Sequence, residues 1–312
     1  MSIKDAVSVQ LMENLRKVGY RACIVDSVHL AEVEKEYRAH TETQAWRSSP
    51  HLQGHTFDFQ PPSWAAGNGT IIIVAAPVAP VRLEFTTGNR KIPVDAPPLS
   101  TDYLQDLVIF GSIIDSVLLP AGYRQTTADL PTKLIASHGG LLENGYNNMG
   151  FIAGMGSFFR LAAFYSDLPG EPEQWYPHEV SERCPDCGVC LAYCPTGCLK
   201  VGEYDVSRCL SLLSKEPFDF PDWVDKRWHN AVVGCRVCQL NCPQNHDIVN
   251  GSAVTESFDR TETEDILAGV PYDKLRIETR SKLERFHLSA YYGILPRNLR
   301  LLLTGEARET IG

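Results

Sequence analysis

Two stretches of the chain carry hydrophobic residues at helical spacing. Val7, Leu11, Leu15 and Val18, with Met12, lie on one stripe of residues 5–18, and the pattern stops at Gly19. A second stripe of this kind comprises Leu104, Leu107, Val108, Gly111, Ile114 and Leu118. Apolar residues that recur every three or four positions form one face of an amphipathic helix. The pattern therefore predicts a helix in each stretch.

Short apolar runs rich in β-branched residues predict strands beside these helices. Residues 22–25 are expected to form a buried strand, and residues 70–74 a central one. Residues 123–127 are expected to return as a further strand. Five prolines between residues 75 and 100 predict an irregular loop there. Helices that alternate with strands predict an α/β (α+β) fold for this part of the chain.

Residues 139–156 are rich in glycine, with six in eighteen positions. Glycine lets the backbone approach another group closely and accepts positive φ angles. This composition is compatible with backbone that contacts a large flat ligand or another chain. It is equally compatible with tight turns between short strands, and no phosphate-loop or dinucleotide motif decides between the two.

Length and charge limit the class of protein. With 312 residues and 44% apolar content, the chain is expected to form two domains, or one domain with an inserted module. A net charge of −9 disfavours a broad nucleic-acid-binding surface, which needs clustered Lys and Arg. No stretch approaches the roughly 20 apolar residues that span a bilayer. The N-terminus shows no signal-peptide or twin-arginine pattern, so a soluble cytoplasmic protein is expected.

Eight of the ten cysteines lie between residues 184 and 242, in two related runs. The runs are Cys184-x2-Cys187-x2-Cys190-x3-Cys194-Pro195 and, after a lone Cys209, Cys235-x2-Cys238-x3-Cys242-Pro243. In bacterial two-cluster ferredoxins, three closely spaced thiolates hold one 4Fe-4S cluster, and a fourth, followed by proline, binds the other cluster. The spacing therefore predicts two 4Fe-4S clusters and a role in electron transfer.

The reciprocal pattern suggests which cysteines share a cluster. The first cluster is assigned Cys184, Cys187, Cys190 and Cys242, and the second Cys194, Cys209, Cys235 and Cys238. Structural zinc is the main alternative, since it also uses four-cysteine sites built from paired spacings. Disulfides are disfavoured because cytosolic thiols stay reduced. Cys23 is expected to be a buried structural thiol, and Cys198 a thiol packed beside a cluster.

Further short motifs surround the cysteine module. They are Tyr146-Asn147, Gly156-Ser157-Phe158-Phe159, Ser166-Asp167-Leu168-Pro169, Cys194-Pro195-Thr196-Gly197, Arg208-Cys209-Leu210 and Gly234-Cys235 with Cys242-Pro243 and Asn245. Together they resemble epoxyqueuosine reductases, a family related to corrinoid-dependent reductive dehalogenases. The resemblance implies an α/β corrinoid-binding-like domain at residues 1–172. A two-cluster bacterial ferredoxin-like module at 173–250 and a short C-terminal helical stub at 251–312 would follow it.

The resemblance also implies chemistry. A cobalamin or related corrinoid is expected near the clusters, in contact with Gly145, Asn147, Gly156 and Ser157. The reaction is expected to reduce a carbon that bears a leaving oxygen or halogen. The electrons are expected to come from a reduced flavodoxin- or ferredoxin-type donor.

The proton donor is where this sequence departs from the family. The family's acidic residue aligns with Thr126, and Asp129 lies three positions later. A Trp and a Lys of the family are replaced by Glu143 and Tyr146. Tyr146 is the leading candidate for the acid, with Asp129 and Glu143 behind it. The alternatives are a packing tyrosine and an exposed turn aspartate.

The region after Cys242 also differs, because the family continues into helical repeats that help to grip tRNA. Residues 275–303 predict about two helices. Their basic residues, expected to form a solvated face, are Arg276, Arg280, Lys282, Arg285, Arg297 and Arg300. Together with the acidic net charge, this region disfavours tRNA as the substrate.

Two functional hypotheses follow. The favoured one is a corrinoid-dependent iron–sulfur reductase that acts on a small molecule. The alternative is an electron-transfer or corrinoid-handling protein without substrate turnover, and a true epoxyqueuosine reductase acting on tRNA is the least favoured. No membrane partner is expected. The nine histidines form no close metal-binding motif, and His138 is expected to be an ordinary hydrogen-bonded side chain.

Overall fold

The computed structural model describes residues 3–42, 49–53, 56–98, 103–170 and 174–304. Its helices in these residues are α1 Ile3–Lys17, α2 Leu30–Thr41, α3 Pro50–Gln53, α4 Tyr103–Leu118, α5 Thr132–His138, α6 Val189–Tyr193, α7 Leu210–Leu213, α8 Val237–Leu240, α9 His246–Val249, α10 Arg260–Leu267, α11 Ile277–Arg285 and α12 Leu295–Leu303. Its strands there are β1 Arg21–Asp26, β2 Thr70–Pro77, β3 Val81–Thr87, β4 Arg90–Ala96, β5 Gln125–Ala128, β6 Glu143–Asn144, β7 Gly150–Phe151, β8 Phe159–Ser166, β9 Leu199–Lys200, β10 Glu203–Tyr204 and β11 Val254–Phe258.

The chain divides into two compact units. Unit 1 consists of Met1–Arg47, Gln53–Val78 and Tyr103–Cys184, and unit 2 of Ser48–Leu52, Ala79–Asp102 and Pro185–Gly312. Each unit therefore contains segments that are distant from one another in the sequence.

Unit 1 is built on an antiparallel sheet with the strand order β1-β2-β8-β5. Successive side chains of the central strand β2 point to opposite faces of this sheet. On one face Ile72 lies in a core with Leu11 of α1 and Phe110 of α4. On the other face Ile73 lies in a core with Ile135 of α5. Helices thus cover both faces, and the predictions of α1, α4, β1, β2 and β5 are confirmed.

Helix α4 combines a buried face with an apolar composition. With the turn that follows it, Tyr103–Ala121, it is long and apolar enough to cross a membrane by length and composition, alone among the described helices. Its residues Phe110, Ile114 and Leu118 are buried in the core of unit 1. The core helix of a soluble protein has the same composition, and this packing accounts for the apolar residues on one side of α4.

Unit 2 contains a three-stranded sheet with the order β11-β3-β4. Strand β11 runs parallel to β3, and β3 runs antiparallel to β4. Leu83 and Phe85 of β3 share a core with Phe258 of β11 and with Leu283 and Leu299 of the C-terminal helices. The rings of Phe85 and Phe258 stack at a centroid distance of 4.7 Å. The C-terminal helices are therefore part of the core of unit 2.

The prediction of an irregular loop between residues 75 and 100 is wrong, because this segment contains the hairpin of β3 and β4. Pro93 lies in β4, an edge strand, where a missing N–H is tolerated. Pairing of β11 with β3 also places residues 79–102 in unit 2. The compact units thus interleave along the chain, whereas the predicted domains 1–172, 173–250 and 251–312 are consecutive.

The two helices predicted between residues 275 and 303 are confirmed as α11 and α12. The solvated face expected of their basic side chains is present only in part, since Arg276, Arg285 and Arg300 are exposed while Lys282 and Arg297 are half-buried. Lys282 pairs with the buried carboxylate of Glu262 at 2.7 Å. Arg297 donates to the carbonyl oxygen of Ser214 at 3.0 Å. Lys282 and Arg297 therefore form contacts that stabilise unit 2.

Candidate functional site

The cysteine module of unit 2 is presented by helices of four or five residues. Gly188, with a φ of 58°, is the N-cap of α6, which carries Cys190, and Cys194 is its C-cap. Cys209 directly precedes α7, and Cys238 lies in α8, which packs against α6. Because each helix is so short, its cysteines stay close to the turns, where the backbone direction changes. Cysteines that are close in sequence therefore also lie close together in the folded unit.

The four cysteines assigned to the second cluster influence one another electrostatically. Burial raises the pKa of Cys235 to about 11, while a 3.3 Å hydrogen bond from the Asn230 amide lowers it. The charges of Cys209 and Cys194 raise it. Burial likewise raises the pKa of Cys238, and Cys235 and Cys209 add to the rise. Ionised thiolates in such a group need nearby positive charge, which iron supplies, although the ligand assignment itself stays a prediction.

Cys198 is buried beside this group. Its Sγ lies 3.5 Å from Cys194 Sγ, and this hydrogen bond is the main cause that lowers the pKa of Cys194 to about 4. A hydrogen bond with Cys198 also lowers the pKa of Cys209 to about 6. The pKa of Cys198 itself is raised by the same two cysteines. Cys198 is therefore a buried thiol in contact with Cys194, and its place beside a cluster stays a prediction.

The cysteines assigned to the first cluster are less buried. Cys187 is exposed, and Cys190 and Cys242 are half-buried in unit 2. Cys184 is the last residue of unit 1, and its N–H donates to the carbonyl oxygen of Ser181 at 3.0 Å. Cys242 is followed at once by the short turn Pro243–Asn245, so the proline redirects the chain after the sulfur. The assignment of these four ligands stays a prediction.

The three candidates for the proton donor lie at different places in unit 1. Asp129 is exposed at the end of β5 and accepts a 3.0 Å hydrogen bond from the Asp58 N–H through its backbone carbonyl. Glu143 is exposed in β6, where its carboxylate accepts a 2.5 Å hydrogen bond from Ser181 Oγ. Tyr146 is half-buried in the turn between β6 and β7. The role of each stays a prediction.

The glycine-rich segment forms the tight turns that were one of its two interpretations. The Gly145 N–H donates to the Met149 carbonyl at 2.8 Å, which closes the hairpin of β6 and β7. A Cβ at Gly145 would lie 2.6 Å from Phe151 Cε2, and one at Gly139 would lie 2.7 Å from Cys23 Sγ. Glycine is therefore required at these two positions by the packing of the protein's own side chains.

A pocket that the sequence did not reveal lies in unit 1 beside β6. Its volume is about 370 Å³, within the usual range of small-ligand pockets. It is lined by Ser137, Gly140, Leu142, Glu143, Asn144, Tyr176, Pro177, Glu179, Val180, Ser181, Glu182 and Arg183. Asn144 is buried, and its Oδ1 has no hydrogen-bond partner among the residues that the structure describes, although its Nδ2 donates to Ser137 Oγ. The pocket thus offers a buried acceptor together with one of the predicted acids, Glu143.

The sequence of this chain is similar to one protein-family model and to individual known proteins. Residues 183–245 match the model of the 4Fe-4S double cluster binding domain. Over 120 residues the chain is 31% identical to the epoxyqueuosine reductase of Bacillus subtilis, which covers 38% of this chain and 30% of that protein. Over 256 residues it is 27% identical to the epoxyqueuosine reductase of Pseudomonas aeruginosa, which covers 74% of this chain and 66% of that protein. The chain thus spans less than two thirds of the length of the curated relatives that it matches.

The fold is shared as well. A crystal structure of epoxyqueuosine reductase with a tRNA-Tyr epoxyqueuosine-modified tRNA stem loop matches with a TM-score of 0.61 and 18% identity, over 97% of this chain and 82% of that chain. At this identity the likeness shows a common mixed α/β fold. Sequence and fold together confirm the resemblance of this chain to epoxyqueuosine reductases, and residues 183–245 are its double 4Fe-4S cluster module.

Proposed function

We propose that this protein is an iron–sulfur oxidoreductase of the epoxyqueuosine reductase type, which reduces an epoxide-bearing nucleoside of tRNA in the cytoplasm. The observation that carries this proposal is the double-cluster module at residues 183–245, with Cys194, Cys209, Cys235 and Cys238 grouped in unit 2. Reduction of an epoxide takes up two electrons and two protons. Two clusters provide the electron path, and an acid near the substrate provides a proton.

The expectation of a small-molecule substrate, with tRNA disfavoured, is wrong. The relatives from Bacillus subtilis and Pseudomonas aeruginosa are named epoxyqueuosine reductases, and a structure of the same fold contains a modified tRNA stem loop. The expectation rested on the net charge and on the number of residues after Cys242. A net charge is a sum over the whole surface and does not exclude a local face that binds phosphates. The number of residues after Cys242 carries no information about the substrate.

A corrinoid is implied by the resemblance and belongs to this proposal. When bound, it supplies a low-potential nucleophile or electron donor at the carbon that is reduced. Gly145 packs against Phe151 and the Asn147 Oδ1 accepts the Met149 N–H at 3.2 Å, and both residues stay predicted contacts of the corrinoid. Gly156 and Ser157 stay predicted contacts. What the protein itself contributes is the cysteine module and a side chain that delivers a proton.

The test uses the anaerobically reconstituted protein with a low-potential chemical reductant. An epoxyqueuosine-bearing tRNA stem loop is supplied with and without cobalamin, and the nucleoside is followed by mass spectrometry. The reduced nucleoside is expected with the wild-type protein and with Cys23→Ala, which removes a thiol outside the module, and not with Cys194→Ala. An unchanged nucleoside, in the presence of full iron content and added cobalamin, would refute the proposal.

A further inference from the structure

Three side chains from distant parts of unit 1 come together outside the cysteine module. They are Glu36 of α2, His138 at the end of α5 and His178, and their ligand atoms all lie within 4.8 Å of one another. We propose that these residues bind a divalent transition-metal ion of the Zn²⁺ or Fe²⁺ type. Two imidazoles and one carboxylate are a common protein ligand set for such ions, with positions left open for water. None of these three residues is a candidate acid, a cluster ligand or a predicted corrinoid contact.

The orientation of His138 is fixed in the way typical of a metal ligand. Its Nδ1 lies 2.6 Å from the carbonyl oxygen of Tyr176, which can only accept, so Nδ1 carries the hydrogen. The ring also stacks on Trp175 with a centroid distance of 4.3 Å and an interplanar angle of 15°. A histidine held by a backbone carbonyl through one nitrogen presents the other nitrogen to a metal. His138 is therefore preorganised, with Nε2 directed at Glu36.

Nε2 of His138 lies 2.9 Å from Glu36 Oε2. With the hydrogen on Nδ1, the Nε2 lone pair of a neutral His138 faces the carboxylate, an arrangement that a cation between the two atoms stabilises. That cation is either a proton or a metal ion. Ligand atoms on a tetrahedral zinc ion, at bond lengths of about 2.0–2.1 Å, are about 3.3 Å apart. A shift of a few tenths of an ångström would therefore admit the metal between His138 and Glu36.

His178 completes the site from its exposed side. His178 is exposed, its ring centroid lies 6.1 Å from that of His138, and one of its ring nitrogens lies within 4.8 Å of the ligand atoms of Glu36 and His138. Its exposure also provides an entry path for the metal. Tyr176 and Pro177, which precede His178, line the 370 Å³ pocket. A bound ion would thus tie this wall of the pocket to α2 and α5.

The experiment measures metal content, so it does not depend on turnover. The protein is reconstituted anaerobically with its clusters, dialysed against Zn²⁺ and then against metal-free buffer, and analysed for zinc and iron. We expect one zinc per chain with no loss of iron. Zinc-edge X-ray absorption should show nitrogen or oxygen neighbours at about 2.0–2.1 Å, because sulfur neighbours would lie at about 2.3 Å. Parallel titrations with Fe²⁺ and Mg²⁺ identify the class of ion, with Mg²⁺ expected not to bind.

Two variants test the ligands themselves. His178→Ala and Glu36→Gln are each expected to weaken zinc binding at least tenfold, while the iron content stays unchanged. Neither side chain is buried, so the fold is preserved. The matched control is His287→Asn, which removes an exposed imidazole of unit 2 and keeps a residue that tolerates the φ of 55° there. Zinc is also expected to raise the Tm of the wild type and of the control, and not that of His178→Ala.

Three results would overturn the proposal. The first is no retained zinc or Fe²⁺, which would show that His138 and Glu36 are a proton-linked ion pair only. The second is zinc with a sulfur shell and a matching loss of iron, which would place the metal at the cysteines. The third is equal retention by the wild type, His178→Ala and Glu36→Gln. Loss of epoxide reduction with zinc still bound would instead count against the proposed function alone.

Discussion

Replacement of Gly145 by alanine separates the two explanations of the glycine-rich segment. The added Cβ would lie 2.6 Å from Phe151 Cε2 and 2.7 Å from Asn147 Oδ1. Carbon atoms in contact prefer separations of about 3.5–4.0 Å, so the Phe151 ring or the hairpin has to move. If packing requires the glycine, the variant is less stable even without a ligand. If a ligand requires the glycine, the variant keeps its stability and binds the ligand more weakly.

The loss of stability expected for Gly145→Ala depends on how far the side chains around Gly145 can move. Phe151 and Asn147 are both buried. Overpacking of such a site costs about 1–3 kcal/mol, and each kcal/mol lowers the Tm by about 2–4 °C for a unit of this size. We therefore expect Gly145→Ala to lower the Tm by several degrees. Gly293→Ala is the matched control, because a Cβ there meets no atom of the described residues within 4 Å, and its Tm should stay close to the wild-type value.

The assay is thermal unfolding of the purified protein, followed by circular dichroism in the absence of cobalamin. The two variants are compared with the wild type under identical conditions of cluster loading. A wild-type Tm for Gly145→Ala, combined with a weaker affinity for cobalamin, would refute the packing explanation. It would also support Gly145 as a corrinoid contact.

Three further predictions concern the cysteines, the acid and an internal histidine. Cys194→Ala should halve the iron content by removing the cluster of Cys235, and an intact electron paramagnetic resonance signal from that cluster would disprove the reciprocal assignment. Tyr146→Phe should lower nucleoside reduction by on the order of 10²–10⁴-fold if the phenol is the acid, whereas unchanged turnover would identify a packing tyrosine. Burial, with a contribution from Arg297, lowers the pKa of His229 to about 4, below its usual 6.5. The folded state then binds fewer protons between these values, so stability should fall as the pH drops from 6.5 towards 4. His229→Leu should flatten this dependence, and an unchanged slope would contradict the assignment.

Features that depend on near neighbours in the chain could be predicted from the sequence. The stripe of Val7, Leu11 and Leu15 marks the buried face of α1. The β-branched run of β2 marks a strand buried on both faces. In both cases the pattern lies within a single element, so the order of apolar residues in that element is enough to predict which of them are buried.

Pairing between distant segments could not be predicted in this way. Val254 pairs with Val81, and this pairing makes strands out of a proline-rich segment that resembles a loop. Arg297 and Lys282 are basic residues whose partners in unit 2 cannot be read from a helical pattern. Such contacts depend on which surfaces meet after folding.

The sequence by itself determined the cysteine module. Two or three residues separate successive cysteines within each run, and this spacing alone predicts which sulfur atoms lie close together. The tertiary structure alone decided why Gly145 must be glycine, and it brought His138 within 2.9 Å of Glu36, 102 residues away in the chain. The residues in these contacts are separated along the chain by intervals that follow neither the helical nor the strand repeat. Only the packing of α2, α5 and the β6–β7 hairpin on their sheet brings them together.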